Sequence, residues 1–204
     1  MKPVFRHSQL YTFLLVCHYE SLEKKILDCG AGGQTPPLAI FKEHGFETYG
    51  IDISDDQIKR AKEFEEKHQM TLNIEKGNML SIPFEDESFG CVYSYNSIFH
   101  LSKEDIRKAI QEIRRVLKPG GMAFINFASS NDDRATYGKK VGEGEYLQDE
   151  HGNEDVLHSY FAENEAEDYF EGFRIFVKEN RIKNIFRDNM KITRGYIDYI
   201  VVKE

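Results

Sequence analysis

The chain has 204 residues, 40% of them hydrophobic, and its formal net charge is −8 at pH 7. This length and apolar content suit one domain with a substantial core and exclude two full domains, and the acidic balance disfavours nucleic acid because it repels the phosphate backbone. Three scattered cysteines exclude a disulfide framework and a structural zinc site. The composition therefore predicts a cytoplasmic protein without a metal.

Residues 1–23 are predicted to form an N-terminal helical cap. Residues 10–17 are apolar, but this run is too short for a membrane span, which takes about 20 residues, and no small-residue cleavage site follows it. We therefore predict no signal peptide and no membrane contact. Phe5 and Tyr11 are candidates for closing a substrate pocket, although aromatic residues on a short amphipathic helix are usually core.

Strands and helices alternate along the next hundred residues. Two helix starts are well marked, because Ser54 is followed three residues later by Gln57 in a capping-box pattern, and Ser102 precedes apolar residues at helical spacing. The predicted strands are residues 24–28, 47–53, 73–77, 91–95 and 122–128, and the predicted helices between them are residues 36–44, 54–68 and 102–117.

Residues 131–161 are predicted to be a lid-like insertion within a single domain that spans residues 1–204. The insertion has eight acidic and three basic residues. Such a charge is typical of a solvated lid, and the alternative is that it favours a neutral or cationic small molecule as substrate. A helix over 164–171, one long or two short strands over 173–186 and a last strand over 196–202 are predicted to follow. The whole pattern predicts an α/β, Rossmann-like doubly wound fold, whose mainly parallel seven-stranded sheet has an antiparallel last strand and helices on both faces.

A glycine-rich turn follows the first strand, at the sheet edge where open α/β sheets bind ligands. Gly30, Gly32 and Gly33 let the backbone approach a ligand closely, and the alternative is an ordinary tight turn. Asp52 ends the second strand twenty positions after Gly32, where a carboxylate is placed for ribose hydroxyls. These residues predict a nucleoside ligand.

The residues after this turn argue against a phosphate-bearing ligand. A dinucleotide fingerprint requires glycine where Thr35 stands. Pro36 and Pro37 lack the backbone N–H groups that would hold a pyrophosphate at the helix start. The turn therefore favours a nucleoside without phosphate.

Four motifs in register resemble the class I S-adenosylmethionine-dependent methyltransferases, with the small-molecule branch the closer likeness. They are ILDCGAGG, GIDIS, GNMLSIPFEDESFG and LKPGG, within residues 24–128. The resemblance implies methyl transfer from S-adenosylmethionine to an unidentified small-molecule acceptor by in-line displacement, with S-adenosylhomocysteine as product. The chain departs from the family pattern at three positions, where Gln34 replaces a glycine, Asn78 an acid and Gly90 an aspartate.

The same resemblance implies roles for individual residues. Asp28, Gly30 and Gly32, with Gly33 beside them, would surround the methionine part of the cofactor, and Asp52 would hold the ribose hydroxyls. The residues that would enclose adenine or lie beside the sulfonium are Ile53, Asn78, Met79, Leu80, Tyr95 and Asn96.

Methyl transfer from a sulfonium needs alignment in a dry pocket more than a dedicated catalytic motif. An acceptor that loses a proton is helped by a nearby base. His100, just past the fourth predicted strand, is the first candidate, and His158 and Tyr160 follow at the end of the insertion. The alternative is that His100 is a packed or solvated helix-start residue, and that His158 and Tyr160 are ordinary alternating strand residues.

Two other functions remain open at this stage. A cofactor-binding module without catalysis is compatible with the missing catalytic motif and with Gln34. A nicotinamide-dependent oxidoreductase of related fold is disfavoured by Thr35 and the two prolines.

Overall fold

The computed structural model describes residues 7–150, 152–188 and 190–204. Phe5, one of the two pocket candidates, lies outside the described residues. The helices are α1 Ser8–Tyr19, α2 Leu38–Glu43, α3 Asp55–His68 and α4 Lys103–Val116, and the strands are β1 Lys25–Cys29, β2 Glu47–Asp52, β3 Ile74–Lys76, β4 Phe89–Ser94, β5 Leu117–Ser129, β6 Lys139–Gly142, β7 Glu145–Glu150, β8 Asn153–Phe161, β9 Phe173–Arg187 and β10 Met190–Lys203.

The sheet confirms the predicted doubly wound topology. Strands β3, β2, β1, β4 and β5 lie side by side in that order and are parallel. β10 then pairs antiparallel with β5, and β9 pairs antiparallel with β10. This order reverses direction at β1, so the carboxyl ends of β1 and β4 border the crevice where such sheets bind ligands.

The predicted seven strands are all present, but the sheet has ten. The three additional strands, β6 to β8, come from residues 131–161. β8 pairs parallel with β5 at Ala128 and Ser129, past the point where the pairing of β4 with β5 ends at Ser94. β7 and β6 then add antiparallel. The segment is hydrogen-bonded to the rest of the fold, since the Ser159 hydroxyl donates to the Leu101 carbonyl over 2.7 Å.

Helix starts follow the predicted capping signals. The Ser54 side chain accepts from the backbone N–H of Gln57 at the start of α3, and the Ser102 side chain accepts from that of Asp105 at the start of α4. The predicted helix over 164–171 is instead a short 3-10 helix, residues 165–169. Its buried residues Ala166 and Tyr169 are three apart, which matches the three-residue turn of a 3-10 helix.

Helices cover both faces of the sheet, as predicted. α1, α2 and α3 pack on one face, where the predicted N-terminal helix buries Leu10, Phe13 and Cys17. α4 and the 3-10 helix 165–169 pack on the other face. Among the described residues, no helix is both long and apolar enough to cross a membrane.

Candidate functional site

The glycine turn after β1 packs so closely against α3 that Gly32 has no room for a side chain. A Cβ atom on Gly32 would lie 2.5 Å from Cβ of Gln57 and 2.7 Å from Oδ2 of Asp52. The backbone N–H of Gly33 donates to the carbonyl of Gln57 over 2.9 Å, and Gly33 has a φ of +110°, a region that glycine adopts readily. The turn therefore presents bare backbone at the carboxyl edge of the sheet.

Asp52 fixes the turn to the second strand. Its two carboxylate oxygens accept from the backbone N–H groups of Gly32 and Ser54, each over 2.9 Å. Each oxygen keeps a further lone pair, and the residue is half-buried at the crevice. Asp52 can therefore accept from hydroxyl groups of a ligand without reorganising. Ile53 beside it has 68% of its surface exposed. Its side chain therefore offers an apolar surface on which a ring of a ligand can pack.

Asp28, at the end of β1, is a buried carboxyl group whose hydrogen-bonding capacity is not met. The side chain is 1% exposed, and its Oδ2 atom has no hydrogen-bond partner in the described part of the chain. Burial, and secondarily the charge of Asp52, raises the pKa of Asp28 well above its usual value. A ligand that donates hydrogen bonds or carries a positive charge would satisfy this carboxylate.

We expect the Asp28→Asn substitution to raise the free energy of unfolding of the cofactor-free protein. The increase should be larger at pH 8 than at pH 5. A carboxyl group whose folded pKa is raised binds more protons in the native state than in the unfolded state, so stability falls as pH rises from the unfolded pKa through the folded one. The amide removes this penalty. Urea unfolding of the wild type and of Asp28→Asn at the two pH values measures this difference in unfolding free energy. A difference that does not grow with pH would contradict the raised pKa of Asp28.

The carboxyl end of β4 is held by side-chain hydrogen bonds to its neighbours. The backbone N–H of Asn96 donates to Oδ1 of the buried Asn126 over 2.7 Å, and Nδ2 of Asn126 donates to Oδ1 of Asn96 over 2.9 Å. The Ser97 hydroxyl donates to the carbonyl of Cys29 over 2.7 Å. These bonds tie β4 to β5 and β1, and they place Tyr95 and Asn96 at a fixed position beside the glycine turn.

A cavity of about 250 Å³ opens at this end of β4. Tyr95 is half-buried and its hydroxyl lies 3.1 Å from Nδ1 of His7. Burial, and secondarily Arg181 and Lys183, lowers the pKa of His7 below its usual 6.5, which keeps the imidazole neutral and able to accept a proton. The lining residues are His7, Leu10, Thr35, Pro37, Tyr93, Tyr95 and Asn96.

Sequence reasoning did not single out His7 as a site residue. It precedes α1 outside any motif, and only the packing of α1 brings it to the cavity. The predicted pocket residue Tyr11 is 43% exposed and is not among the lining residues.

The predicted adenine-side residues lie in the turn after β3. Asn78 is exposed, and its Oδ1 accepts from the backbone N–H of Leu80 over 2.9 Å. Met79 and Leu80 are half-buried and pack on the core below α4. Gln34, which replaces a family glycine, is exposed. This turn offers a polar edge beside two apolar side chains, and the cofactor roles of its residues remain predictions.

The three predicted catalytic residues form a separate cluster against β8. The rings of His100 and His158 lie 4.6 Å apart, and Nδ1 of His100 lies 3.2 Å from the Leu157 carbonyl. Tyr160 is 2% exposed, its hydroxyl donates to Gln148, and burial raises its pKa to about 12. None of the three is among the residues that line the cavity, and their catalytic roles remain predictions.

Comparison with known proteins connects this site to methyltransferases. The model of a family described as "Methyltransferase domain" matches residues 27–125. A sterol 24-C-methyltransferase of Pneumocystis carinii is 32% identical over 126 residues, which are 56% of this chain and 32% of that protein. The uncharacterized methyltransferase YcgJ of Bacillus subtilis is 35% identical over 104 residues, 50% of this chain and 40% of that protein. The chain therefore spans less than half the length of these curated relatives.

Solved structures show the same fold along nearly the whole chain. An S-adenosylmethionine-dependent methyltransferase of Clostridium acetobutylicum superposes with a TM-score of 0.72 at 14% identity, covering 98% of this chain and 92% of that one. A second, from Methanosarcina mazei, has a TM-score of 0.71 at 23% identity and covers 92% of this chain and 96% of that one.

Proposed function

Because the chain belongs to the class I S-adenosylmethionine-dependent methyltransferases, we propose that it transfers a methyl group from S-adenosylmethionine to a small-molecule acceptor. The observation that carries the proposal is the glycine turn, where Gly32 has room for no side chain and donates its N–H to Asp52. This bare backbone stands between a carboxylate suited to ribose hydroxyls and the unsatisfied Asp28.

The residues present fit S-adenosylmethionine. The amino group of the cofactor is a cationic donor, and Oδ2 of Asp28 lacks a donor of this kind. The cofactor has no phosphate group, which agrees with the missing N–H groups of Pro36 and Pro37 after the turn. When bound, it supplies an electrophilic methyl group on a sulfonium. The proposed cofactor residues are Asp28, Gly30, Gly32, Gly33, Asp52, Ile53, Asn78, Met79, Leu80, Tyr95 and Asn96.

The proposed acceptor site is the cavity beside Tyr95. Its wall is largely aromatic and apolar, and His7 and Asn96 can orient a polar group of the acceptor. The resemblance to sterol 24-C-methyltransferases supports a small-molecule acceptor. We extend the proposal to a cytoplasmic location. It is supported by three buried cysteines that are free thiols, although the Sγ atoms of two of them lie only 3.5 Å apart.

Titration calorimetry with S-adenosylhomocysteine and with NAD tests the proposal. We expect S-adenosylhomocysteine to bind and NAD to bind at least about 100-fold more weakly, because a pyrophosphate finds no N–H groups at the two prolines. Binding of NAD alone would replace the proposal with an oxidoreductase. Cofactor binding without methyl transfer to any acceptor in a screen with labelled S-adenosylmethionine would replace it with a non-catalytic binding module.

If the acceptor must lose a proton, we propose His7 as the base, since it lines the cavity and the three earlier candidates do not. With an acceptor found by the screen, His7→Gln is expected to lower kcat by at least about tenfold and to leave the KM for S-adenosylmethionine unchanged. Because the pKa of His7 lies below 6.5, wild-type kcat should fall only below that pH. His100→Gln is the matched comparison, and a larger loss of kcat there would return the role to His100, His158 and Tyr160.

A further inference from the structure

The last two strands continue beyond the sheet as a hairpin, whose described residues 181–188 and 190–194 we call the hairpin arm. β10 pairs with β5 only from Tyr196 to Val202, whereas β9 and β10 stay paired with each other as far as Met190 opposite Arg187. The six residues from 190 to 195 extend about 20 Å at about 3.4 Å per residue. Because β10 is antiparallel to β5, the hairpin arm projects from the carboxyl edge of the sheet, where the cavity lies.

The base of the hairpin arm is anchored to the fold. The backbone N–H of Gly195 donates to Oδ2 of Asp132 over 3.1 Å, and that of Thr193 donates to Asp133 over 2.5 Å. Arg181 forms two hydrogen bonds with the buried carboxylate of Asp198, over 2.9 and 3.2 Å. The hairpin arm is therefore held in a fixed direction, and its tip extends past these contacts.

The tip of the hairpin arm exposes apolar side chains. Phe186 and Met190, which flank the turn, have 79% and 61% of their surfaces exposed, and Ile182 has 48%. With Ile185, these account for four of the eleven exposed large hydrophobic residues of the described chain. Such a concentration on a protruding strand pair is an aggregation hazard unless a partner covers it.

Basic side chains alternate with these apolar ones. Residues 181–194 contain five basic residues and one acid, whereas the rest of the sequence has 22 basic residues and 34 acids. The hairpin arm thus has a formal charge of +4 on a body of −12. Across the strand pair, Lys191 lies opposite Phe186 and Arg187 lies opposite Met190, so the two most exposed apolar side chains of the arm each have a cation opposite them.

We propose that the hairpin arm binds the surface of a membrane that contains anionic lipid. Insertion of Phe186 and Met190 among the headgroups removes their apolar surface from water, and the neighbouring cations attract lipid phosphates. The acidic body is repelled by the same surface, so the tip alone makes contact. This differs from the sequence-based prediction of no membrane contact. The difference arises because the apolar and basic side chains of the tip come together only when β9 and β10 pair.

A membrane accounts for the tip better than a protein or a nucleic acid. Protein interfaces are depleted of lysine, whereas Lys191 lies opposite Phe186 at the tip. Nucleic acid would contact the cations but would leave Phe186 and Met190 in water, and the body charge of −12 would repel it. The proposal does not depend on methyl transfer.

Co-sedimentation of the full chain with vesicles tests the proposal. We expect binding to phosphatidylcholine vesicles containing phosphatidylserine, weak or no binding to phosphatidylcholine alone, and weaker binding as salt is raised. Phe186→Ser should lower the partition coefficient by about tenfold or more, and Lys191→Gln by about fivefold, since each basic charge contributes about 1 kcal/mol. The matched controls are Tyr19→Ser, which removes an aromatic ring that is 75% exposed on α1, and Lys59→Gln on the exposed face of α3.

Four results would overturn the proposal. They are absence of binding to either vesicle, equal binding to both, equal losses in the control variants, and a concentration-dependent dimer in sedimentation that Phe186→Ser abolishes. Each substituted side chain is exposed, so thermal unfolding midpoints close to that of the wild type should show that the variants fold. S-adenosylhomocysteine binding should be unchanged in Phe186→Ser, which separates failure here from failure of the proposed function.

Discussion

Replacing Gly32 by valine is expected to abolish measurable S-adenosylhomocysteine binding, a loss of more than about 100-fold. The new Cβ would lie 2.5 Å from Cβ of Gln57 and 2.7 Å from the Asp52 carboxylate oxygen that Gly32 now holds. The turn must move away from α3 to relieve this overlap, and its backbone then leaves the position that faces the ligand. Calorimetric titration measures the binding.

The same overlap has a cost in stability. The main chain of Gln57 lies 2.9 Å from the new Cβ, so the conflict is with a helix and not only with flexible side-chain ends. Overpacking of this kind costs about 1–3 kcal/mol of unfolding free energy, which chemical denaturation can measure. We therefore expect a folded but less stable variant.

Gln34→Ala is the matched control for Gly32→Val, because Gln34 belongs to the same turn and is exposed. We expect its stability to be unchanged and its affinity to change less than about threefold. Normal binding by Gly32→Val would place the cofactor elsewhere. A large loss in Gln34→Ala would show that this departure from the family glycine has taken over a binding role.

Replacing Asp52 by alanine is expected to weaken S-adenosylhomocysteine binding by about 1–3 kcal/mol, or roughly 5- to 150-fold. The substitution removes a charged acceptor from ligand hydroxyls, which leaves buried donors unpaired. It also releases the backbone N–H groups of Gly32 and Ser54, so the turn loses its tie to β2. Both effects reduce affinity in the same direction.

The control for Asp52→Ala is Asp56→Ala, which removes an exposed acid from the first turn of α3 and should leave affinity within about twofold. Asp52→Asn separates the two effects, because its amide oxygen can still accept one of the two backbone N–H groups while the charge is lost. We expect Asp52→Asn to bind S-adenosylhomocysteine with an affinity between that of the wild type and that of Asp52→Ala. Unchanged affinity in a folded Asp52→Ala would refute the ribose assignment.

The sequence by itself determined the parts of this protein that depend on local signals. Ser54 and Ser102 mark the starts of α3 and α4 because a capping bond reaches only three residues along the chain. The alternation of strands and helices predicted a mainly parallel, doubly wound sheet, because crossover connections leave few topologies. The glycine turn and Asp52 were predictable since the strand ends that carry them meet at one sheet edge.

Tertiary structure alone decided where distant segments meet. The predicted lid-like insertion, residues 131–161, adds three strands to the sheet, because its pairing with β5 depends on an edge left open beyond β4. His7 reaches the cavity only through the packing of α1, and Tyr160 is fixed by Gln148 across a strand pair. The tip of the hairpin arm likewise exists only once β9 pairs with β10. The contacts of β8 with β5 and of His7 with the cavity join residues far apart in sequence, and no local pattern encodes the partner of an unpaired strand.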